Sequence, residues 1–217
     1  MSGLVQPTGG VVRRLAITAS VLFAAGVVLA DVTPHPGCSQ HDPRIFKKPL
    51  KTVVKRWDLD PWLLMGLIQT ESRFDPGATS RTGAAGLGQF TGIAMKEIQR
   101  LAKMGGYARA FKGEDKLLAK LKSFDKSMAY DPELALEATA LFLHHLLKHY
   151  KGHVEAALTH YNAGGRMAKH VLKHGHKGAK DKGLLTFSQA KTYAPEVLKW
   201  RAKFKSGWMP KNAKTKY

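Results

Sequence analysis

The sequence is poor in cysteine, because only Cys38 occurs among its 217 residues. A single cysteine cannot form an intramolecular disulfide, so the fold must depend on a hydrophobic core, for which 44% apolar residues suffice. Acylation of Cys38, as in a lipoprotein, is an alternative role, but the preceding His35-Pro36-Gly37 fits such a signal poorly. We therefore expect a domain without covalent cross-links.

Acidic residues are also scarce, with 16 Asp and Glu against 35 Lys and Arg and a formal net charge of +19. Residues 165–217 hold fourteen of these bases and two acids, Asp181 and Glu196. A charge run is usually a solvated face, but this one should also attract polyanions. We predict that the basic C-terminal region binds anionic wall polymers or a membrane surface. No signature of a specific nucleic-acid-binding fold is present.

Runs of alternating polar and apolar residues are too short to demand a β-sheet, which predicts a mainly α fold. Apolar residues recur instead at helical spacing, and Asp-Pro pairs give two clear start signals. The glycine pair at 105–106 is expected to end one helix. The predicted helices cover 45–57, 61–71, 92–104, 114–124, 131–150, 154–162, 166–172 and 187–204.

The N-terminus carries an uncharged, mostly apolar run over 15–30, preceded by Arg13-Arg14. Its length is marginal for a bilayer span, which usually takes about 20 residues. This pattern predicts a signal peptide or a membrane-anchor helix at 1–30, and so an exported protein of the periplasm or cell envelope. We expect a linker at 31–44, the main domain at 45–205 and a basic tail at 206–217.

One predicted helix carries the strongest candidate for chemistry. Asp60 is a good N-cap and Pro61 suits the first helical position, so the helix should begin there. Apolar side chains cover nearly every face as far as Ile68, which is typical of a helix buried on all sides. Glu71 would lie at the carboxyl end, where burial and the helix dipole both raise its pKa. Such a carboxyl group suits a general acid, and a solvated Glu in the last turn is the alternative.

A glycine-rich loop follows this helix. Pro76 and Gly77 are expected to end the helix, with Asp75 as its cap. The segment 83–88 holds three glycines and two alanines, whose backbone can approach a ligand closely. Its order is G-x-x-G-x-G with no strand before it, so it fits neither the dinucleotide-binding nor the Walker pattern. We therefore predict contact with a sugar rather than with a nucleotide.

Three motifs occur in order along the chain: Glu71-Ser72, then Gly83-Ala84-Ala85-Gly86-Leu87 with Gln89, then Tyr161-Asn162-Ala163-Gly164. Together they resemble the catalytic domain of soluble lytic transglycosylases over roughly residues 52–202. The resemblance implies the lysozyme-like helical lobe of that family. It also implies cleavage of the β-1,4 bond between N-acetylmuramic acid and N-acetylglucosamine in peptidoglycan glycan strands, without a cofactor.

The resemblance further implies roles for single residues. Glu71 would protonate the bridging oxygen and then take the proton of the muramic C6 hydroxyl, which closes on C1 to leave a 1,6-anhydro sugar. Ordinary glycosidases use two carboxylates, and no second acid is clearly placed in this sequence. For Gln89 a loop-bracing amide is the alternative to a sugar contact. The predicted substrate-binding residues are Ser72, Gly86, Leu87, Gln89, Tyr161, Asn162 and Tyr193.

The sequence departs from the family pattern at three places. Gly88 stands where Met is usual, Thr91-Gly92 replaces Met-Pro, and Gln189 lies where Glu is common four residues before Tyr193. These departures leave subsite contacts and the role of Tyr193 open, but they lie outside the proton-transfer step.

Histidine pairs four residues apart, such as His145 and His149, could share a helix face. Without H-E-x-x-H or a carboxylate at ligand spacing, we predict no metal site. Two other functions stay open: a hydrolysing muramidase on the same fold, and a non-catalytic cationic wall-binding or virion structural protein. The biological setting is equally open, since a phage lysin would use the same domain.

Overall fold

The computed structural model describes residues 41–186 and 188–209. Within these ranges the chain contains helices and isolated bridges but no β-strand, so the mainly α prediction is confirmed. The predicted N-terminal signal or anchor helix lies outside the described residues. The helices are α1 Lys47–Trp57, α2 Pro61–Glu71, α3 Gly92–Lys103, α4 Gly105–Ala108, α5 Asp115–Lys122, α6 Pro132–His149, α7 Val154–Ala163, α8 Gly165–Asp181 and α9 Tyr193–Lys205.

None of the helices in the described ranges has both the length and the apolar character needed to cross a membrane.

Helix α2 lies at the centre of the domain and begins where the sequence predicts. Asp60 caps it by accepting the backbone N–H of Trp62 at 2.9 Å. Helix α9 crosses it so closely that a Cβ on Gly66 would lie 2.6 Å from the carbonyl oxygen of Val197. Arg201 of α9 donates to the Asp60 carboxylate at 2.6 Å. The glycine therefore allows close helix packing, and the ion pair fixes the start of α2 against α9.

A buried ionic network joins α1 to α6. The indole N–H of Trp57 donates to Glu137 at 2.6 Å, and Nε of Arg56 lies 3.1 Å from the same carboxylate oxygen. Arg56 also donates to Glu114 at 2.8 Å. Burial raises the pKa of Glu137, while the Arg56 guanidinium opposes that rise. Glu137 is thus a structural carboxylate that the helical pattern did not indicate.

Two helices differ from the predicted bounds in the C-terminal half. The predicted helix 187–204 begins only at Tyr193, because Pro195 has no N–H and is tolerated in the first helical turn. A 3-10 turn, Gln189–Lys191, precedes it, and Phe187 lies outside the described residues. The predicted helix 166–172 extends instead over Gly165–Asp181, interrupted at Gly175, where φ is +69°.

Two further bounds differ in the N-terminal half. Helix α1 begins two residues later than predicted, because the 3-10 turn Pro43–Phe46, capped by Asp42, precedes it. At the end of the predicted linker, the backbone N–H of the buried His41 donates to the carbonyl oxygen of Arg73 at 3.1 Å, and the linker bounds stay a prediction. Helix α3 ends at Lys103, and the 105–106 glycines open α4 instead of a loop.

Candidate active site

Glu71 is the last residue of α2, as the sequence predicts. The Tyr193 hydroxyl, on the first residue of α9, donates a hydrogen bond to Oε1 of Glu71. Burial raises the pKa of Glu71 to about 8, and the hydrogen bond from Tyr193 opposes that rise. The predicted direction of the shift is therefore confirmed, with burial as its main cause. A carboxyl group with this pKa is largely protonated at neutral pH.

Tyr193 is the polar partner that α9 brings to this carboxyl group. Its side chain is buried, and burial together with the nearby Glu71 holds its pKa well above the ordinary value for tyrosine. Tyr193 therefore stays a neutral donor over the physiological pH range. The sequence had left its role open because Gln189 replaces a common Glu, yet the contact with Glu71 forms.

Tyr161, on α7, borders the same carboxyl group from another side. Its hydroxyl donates to the carbonyl oxygen of Gly88 at 2.9 Å, and its ring lies 5.1 Å from that of Phe142. Burial raises the pKa of Tyr161, and the negative charge of Glu71 raises it further. Glu71 therefore acts electrostatically on Tyr161, whose hydroxyl group also binds the glycine loop at Gly88.

Asn162 and Ser72 are both buried beside this region. Ser72 is the C-cap of α2, and its hydroxyl lies 3.3 Å from the carbonyl oxygen of Ile68, as expected for a helix-end hydroxyl. The side-chain Nδ2 of Asn162 has no hydrogen-bond partner among the described residues. A buried amide donor without a partner is costly, and because this nitrogen has almost no exposed surface, a contact between Asn162 and substrate stays a prediction.

The glycine loop is braced mainly by contacts within the protein. Gly86 has φ of +72°, and a Cβ there would lie 1.7 Å from the carbonyl oxygen of Ala129. The amide nitrogen of Gln89 donates to the carbonyls of Ala78 and Gly86 at 3.2 and 3.0 Å. The Leu87 side chain is fully buried. Gly86 and Gln89 thus have structural roles, and contacts of these three residues with substrate stay predictions.

The turn that ends α2 differs from the prediction. Arg73 and Phe74, not Gly77, adopt left-handed backbone conformations, with φ of +58° and +62°. The buried ring of Phe74 packs 5.7 Å from Phe46, which holds this unusual conformation in place. Asp75 does not cap the helix, because its carboxylate accepts the backbone N–H of Gly77 at 2.9 Å.

The histidines of α6 and α7 contact neighbouring side chains. The hydroxyl oxygen of Tyr107 lies 2.9 Å from Nδ1 of His145, and that of Tyr150 lies 2.9 Å from Nδ1 of His160. Burial lowers the pKa of His160 to about 4. In the part of the chain that the structure describes, no group of three or more His, Cys, Asp or Glu side chains is arranged to hold a metal ion.

In this helical domain, α2 ends at Glu71, a carboxyl group with a raised pKa that Tyr193 of α9 contacts. A family model described as "Transglycosylase SLT domain" matches residues 49–183, which is more than half of the chain, and the chain belongs to this family. The match ends before α9, so Tyr193 lies outside the matched residues.

A solved structure supports the fold assignment. The X-ray structure of an inactive mutant of the lytic transglycosylase Slt from Pseudomonas aeruginosa is similar, with a TM-score of 0.59 and 17% sequence identity. The alignment covers 76% of this chain and 24% of that protein, so this chain corresponds to about a quarter of its length. At this identity the similarity concerns the fold.

Proposed function

We propose that this chain is a peptidoglycan lytic transglycosylase that cleaves the β-1,4 bond between N-acetylmuramic acid and N-acetylglucosamine with Glu71 as its single catalytic acid and base. The observation that carries the proposal is the hydrogen bond that Tyr193 of α9 donates to Glu71 at the end of the buried helix α2, where burial raises the pKa of the carboxyl group to about 8. Only burial and Tyr193 determine that pKa, with no contribution from another carboxylate in the described residues. A reaction that uses one carboxyl group fits this site better than one that uses two.

The proposed reaction begins with the protonated carboxyl group of Glu71. Glu71 gives its proton to the bridging oxygen as the bond from C1 of the muramic sugar breaks, and N-acetylglucosamine leaves as an alcohol. The resulting carboxylate then takes the proton of the muramic C6 hydroxyl. As it loses this proton, the C6 oxygen closes on C1 and forms the 1,6-anhydro ring. Glu71 is then protonated again, as it was at the start. No water is consumed.

The neighbouring side chains suit both protonation states of Glu71. Burial favours the neutral acid that starts the reaction, and the hydrogen bond from Tyr193 stabilises the carboxylate that follows. Asn162 follows Tyr161 directly in α7, and its side-chain amide is of a type that can bind a substrate oxygen such as that of an N-acetyl group. We infer that Tyr193 tunes the acid and that Asn162 binds the sugar.

The decisive experiment is digestion of purified peptidoglycan, with the products separated and weighed by mass spectrometry. We expect muropeptides that end in 1,6-anhydro sugars, one water lighter than hydrolysed products, and none when Glu71→Gln replaces the parent. Reducing ends would instead identify a hydrolysing muramidase. Binding to sacculi without turnover by the parent would identify a non-catalytic wall-binding or virion protein.

We further propose that the basic C-terminal region holds the enzyme near anionic wall polymers or a membrane surface. Lys169 and Lys173 are exposed on α8 before its interruption at Gly175, and Lys177 and Lys180 are exposed after it. Such exposed positive charges attract polyanions in a salt-dependent manner. Sedimentation with sacculi at rising salt concentration tests this attraction.

We also propose that the protein is exported to the periplasm or cell envelope. The support is the apolar sequence at 15–30 after two arginines and the substrate proposed above. Cell fractionation combined with N-terminal sequencing of the mature protein tests both export and cleavage of the segment.

A further inference from the structure

Thr139 is a fully buried polar residue in the middle of α6 to which the proposed mechanism gives no role. Its hydroxyl donates to the carbonyl oxygen of Ala135 at 2.7 Å, one helical turn earlier. A buried threonine at such a position is commonly satisfied by this bond alone. The surroundings of Thr139 show a second contact that reaches the active site.

The space around Gly88 shows which groups lie next to Thr139. A Cβ on Gly88 would lie 2.5 Å from Oγ1 of Thr139 and 2.8 Å from the hydroxyl oxygen of Tyr161. The two hydroxyl groups therefore border the same small space beneath the glycine loop. Together with the ring of Phe90, 2.7 Å from the same point, they fill the room that a larger residue at position 88 would need. A hydrogen bond from the Thr139 hydroxyl lowers the pKa of Tyr161.

A count of protons indicates how these groups are connected. Tyr161 uses its one hydroxyl proton to donate to the Gly88 carbonyl at 2.9 Å, so its oxygen is left as an acceptor. The Thr139 hydroxyl can donate its proton to this oxygen, a hydrogen bond that opposes the rise that burial causes in the pKa of Tyr161. When it turns towards Tyr161 it leaves the carbonyl of Ala135, which as a helical carbonyl also accepts a backbone N–H. The exchange therefore leaves no buried group without a partner.

We propose that Thr139 is a positioning residue, whose hydroxyl holds Tyr161 and, through Tyr161, the glycine loop in place beside Glu71. The inference rests on the proposed function in that its kinetic consequence requires turnover. Thr139 itself does not touch the reacting atoms. Its effect is on the orientation of Tyr161, which borders the Glu71 carboxyl group.

The kinetic test compares two substitutions that separate the hydroxyl from the methyl group. Thr139→Val keeps the shape and removes the hydroxyl, whereas Thr139→Ser keeps the hydroxyl and removes the methyl. We expect the valine variant to lose about three- to tenfold in kcat, the loss of one hydrogen bond, with KM nearly unchanged. The serine variant should stay close to the parent. Equal kcat values for valine variant and parent, or equal losses in both variants, would overturn the proposal.

A second readout does not depend on turnover. In protein labelled with 13C at the tyrosine ζ-carbon, the Tyr161 resonance, assigned through Tyr161→Phe, should shift in Thr139→Val at neutral pH. The Tyr107 resonance should not move, because its hydroxyl group lies 2.9 Å from Nδ1 of His145 and its ring packs against Trp57. An unchanged Tyr161 resonance refutes the positioning role. A parent that shows the shift upon substitution but never cleaves peptidoglycan refutes the proposed function alone.

Thermal unfolding of each variant accompanies both tests, so that kinetics are measured well below every melting temperature. Should the valine variant fail to fold, Thr139→Ala removes the same hydroxyl and is compared with Thr139→Ser in the same two assays. The proposal is supported if the serine variant keeps the parent's Tyr161 resonance position and kcat, while in the alanine variant the resonance shifts and kcat falls. An alanine variant that keeps both would overturn it.

Discussion

Ionisation of the half-buried Glu71 should lower the stability of the folded protein at alkaline pH, and Glu71→Gln should remove that loss. In the folded chain the pKa of Glu71 is about 8, against an ordinary value of 4.5. Between these values the folded protein holds a proton that the unfolded chain has released, so the parent loses stability as pH rises from about 4.5 to about 8. Glutamine is neutral throughout and lacks this dependence.

The expected size follows from the two pKa values. The two pKa values, 4.5 and about 8, define a pH interval in which each unit corresponds to about 1.4 kcal/mol. The parent can therefore lose at most about 5 kcal/mol in free energy of unfolding. The Glu71 side chain is only half-buried, so screening by solvent should reduce this difference. We expect the free energies of unfolding of parent and variant to differ by about 2 to 5 kcal/mol at alkaline pH. The inactive variant should thus be more stable than the active parent above neutral pH.

The assay is urea denaturation of the parent and of Glu71→Gln at intervals from about pH 4 to about pH 9. The free energies of unfolding should nearly coincide at the acidic end and diverge progressively towards pH 8. Glu133→Gln, an exposed glutamate of α6, is the matched control and should differ from the parent by a constant small amount. A pH-independent difference for Glu71→Gln would refute the argument that burial keeps this carboxyl group protonated.

Three further predictions concern the surroundings of the acid and the core. Tyr193→Phe removes the hydrogen bond that lowers the pKa of Glu71, so the alkaline fall in kcat/KM should move upward by about one pH unit in a pH–rate profile. Glu137→Ala removes the buried carboxylate that accepts from Trp57 and pairs with Arg56, which keeps Glu114 at 2.8 Å, and should cost about 3 kcal/mol in urea denaturation. Gly86→Ala places a carbon 1.7 Å from a backbone oxygen, so thermal unfolding should show a cost of at least about 3 kcal/mol.

Each of these substitutions has a control within the chain. Tyr130→Phe removes a hydroxyl that bonds to Thr79 and should leave the pH–rate profile in place. Glu97→Gln breaks an exposed pair with Arg100 and should cost less than about 1 kcal/mol. Gly113→Ala has the same left-handed strain as Gly86→Ala, with φ of +83°, but open space around the new carbon. A similar loss of stability at both glycines would contradict the steric argument for position 86.

Local sequence signals were sufficient to predict the features that depend on neighbouring residues. Asp60 and Pro61 together fix the start of α2, because a side-chain acceptor and a residue without an N–H are both favoured at a helix N-terminus. The apolar residues that follow predicted burial on every side, and that burial predicted the raised pKa of Glu71. Helix bounds were less certain where glycine or proline allowed more than one outcome, as at Gly175 and Pro195.

By itself the sequence determined the helical class of the domain, the acid at residue 71 and the order of the motifs, because each depends on residues close together in the chain. Tertiary structure alone decided which side chains surround that acid. Tyr193 is 122 positions away from Glu71, and Gly86 needs to be glycine because Ala129 approaches it from another segment. Contacts between distant segments leave no periodic pattern in the sequence, since they are set by how whole helices pack against one another.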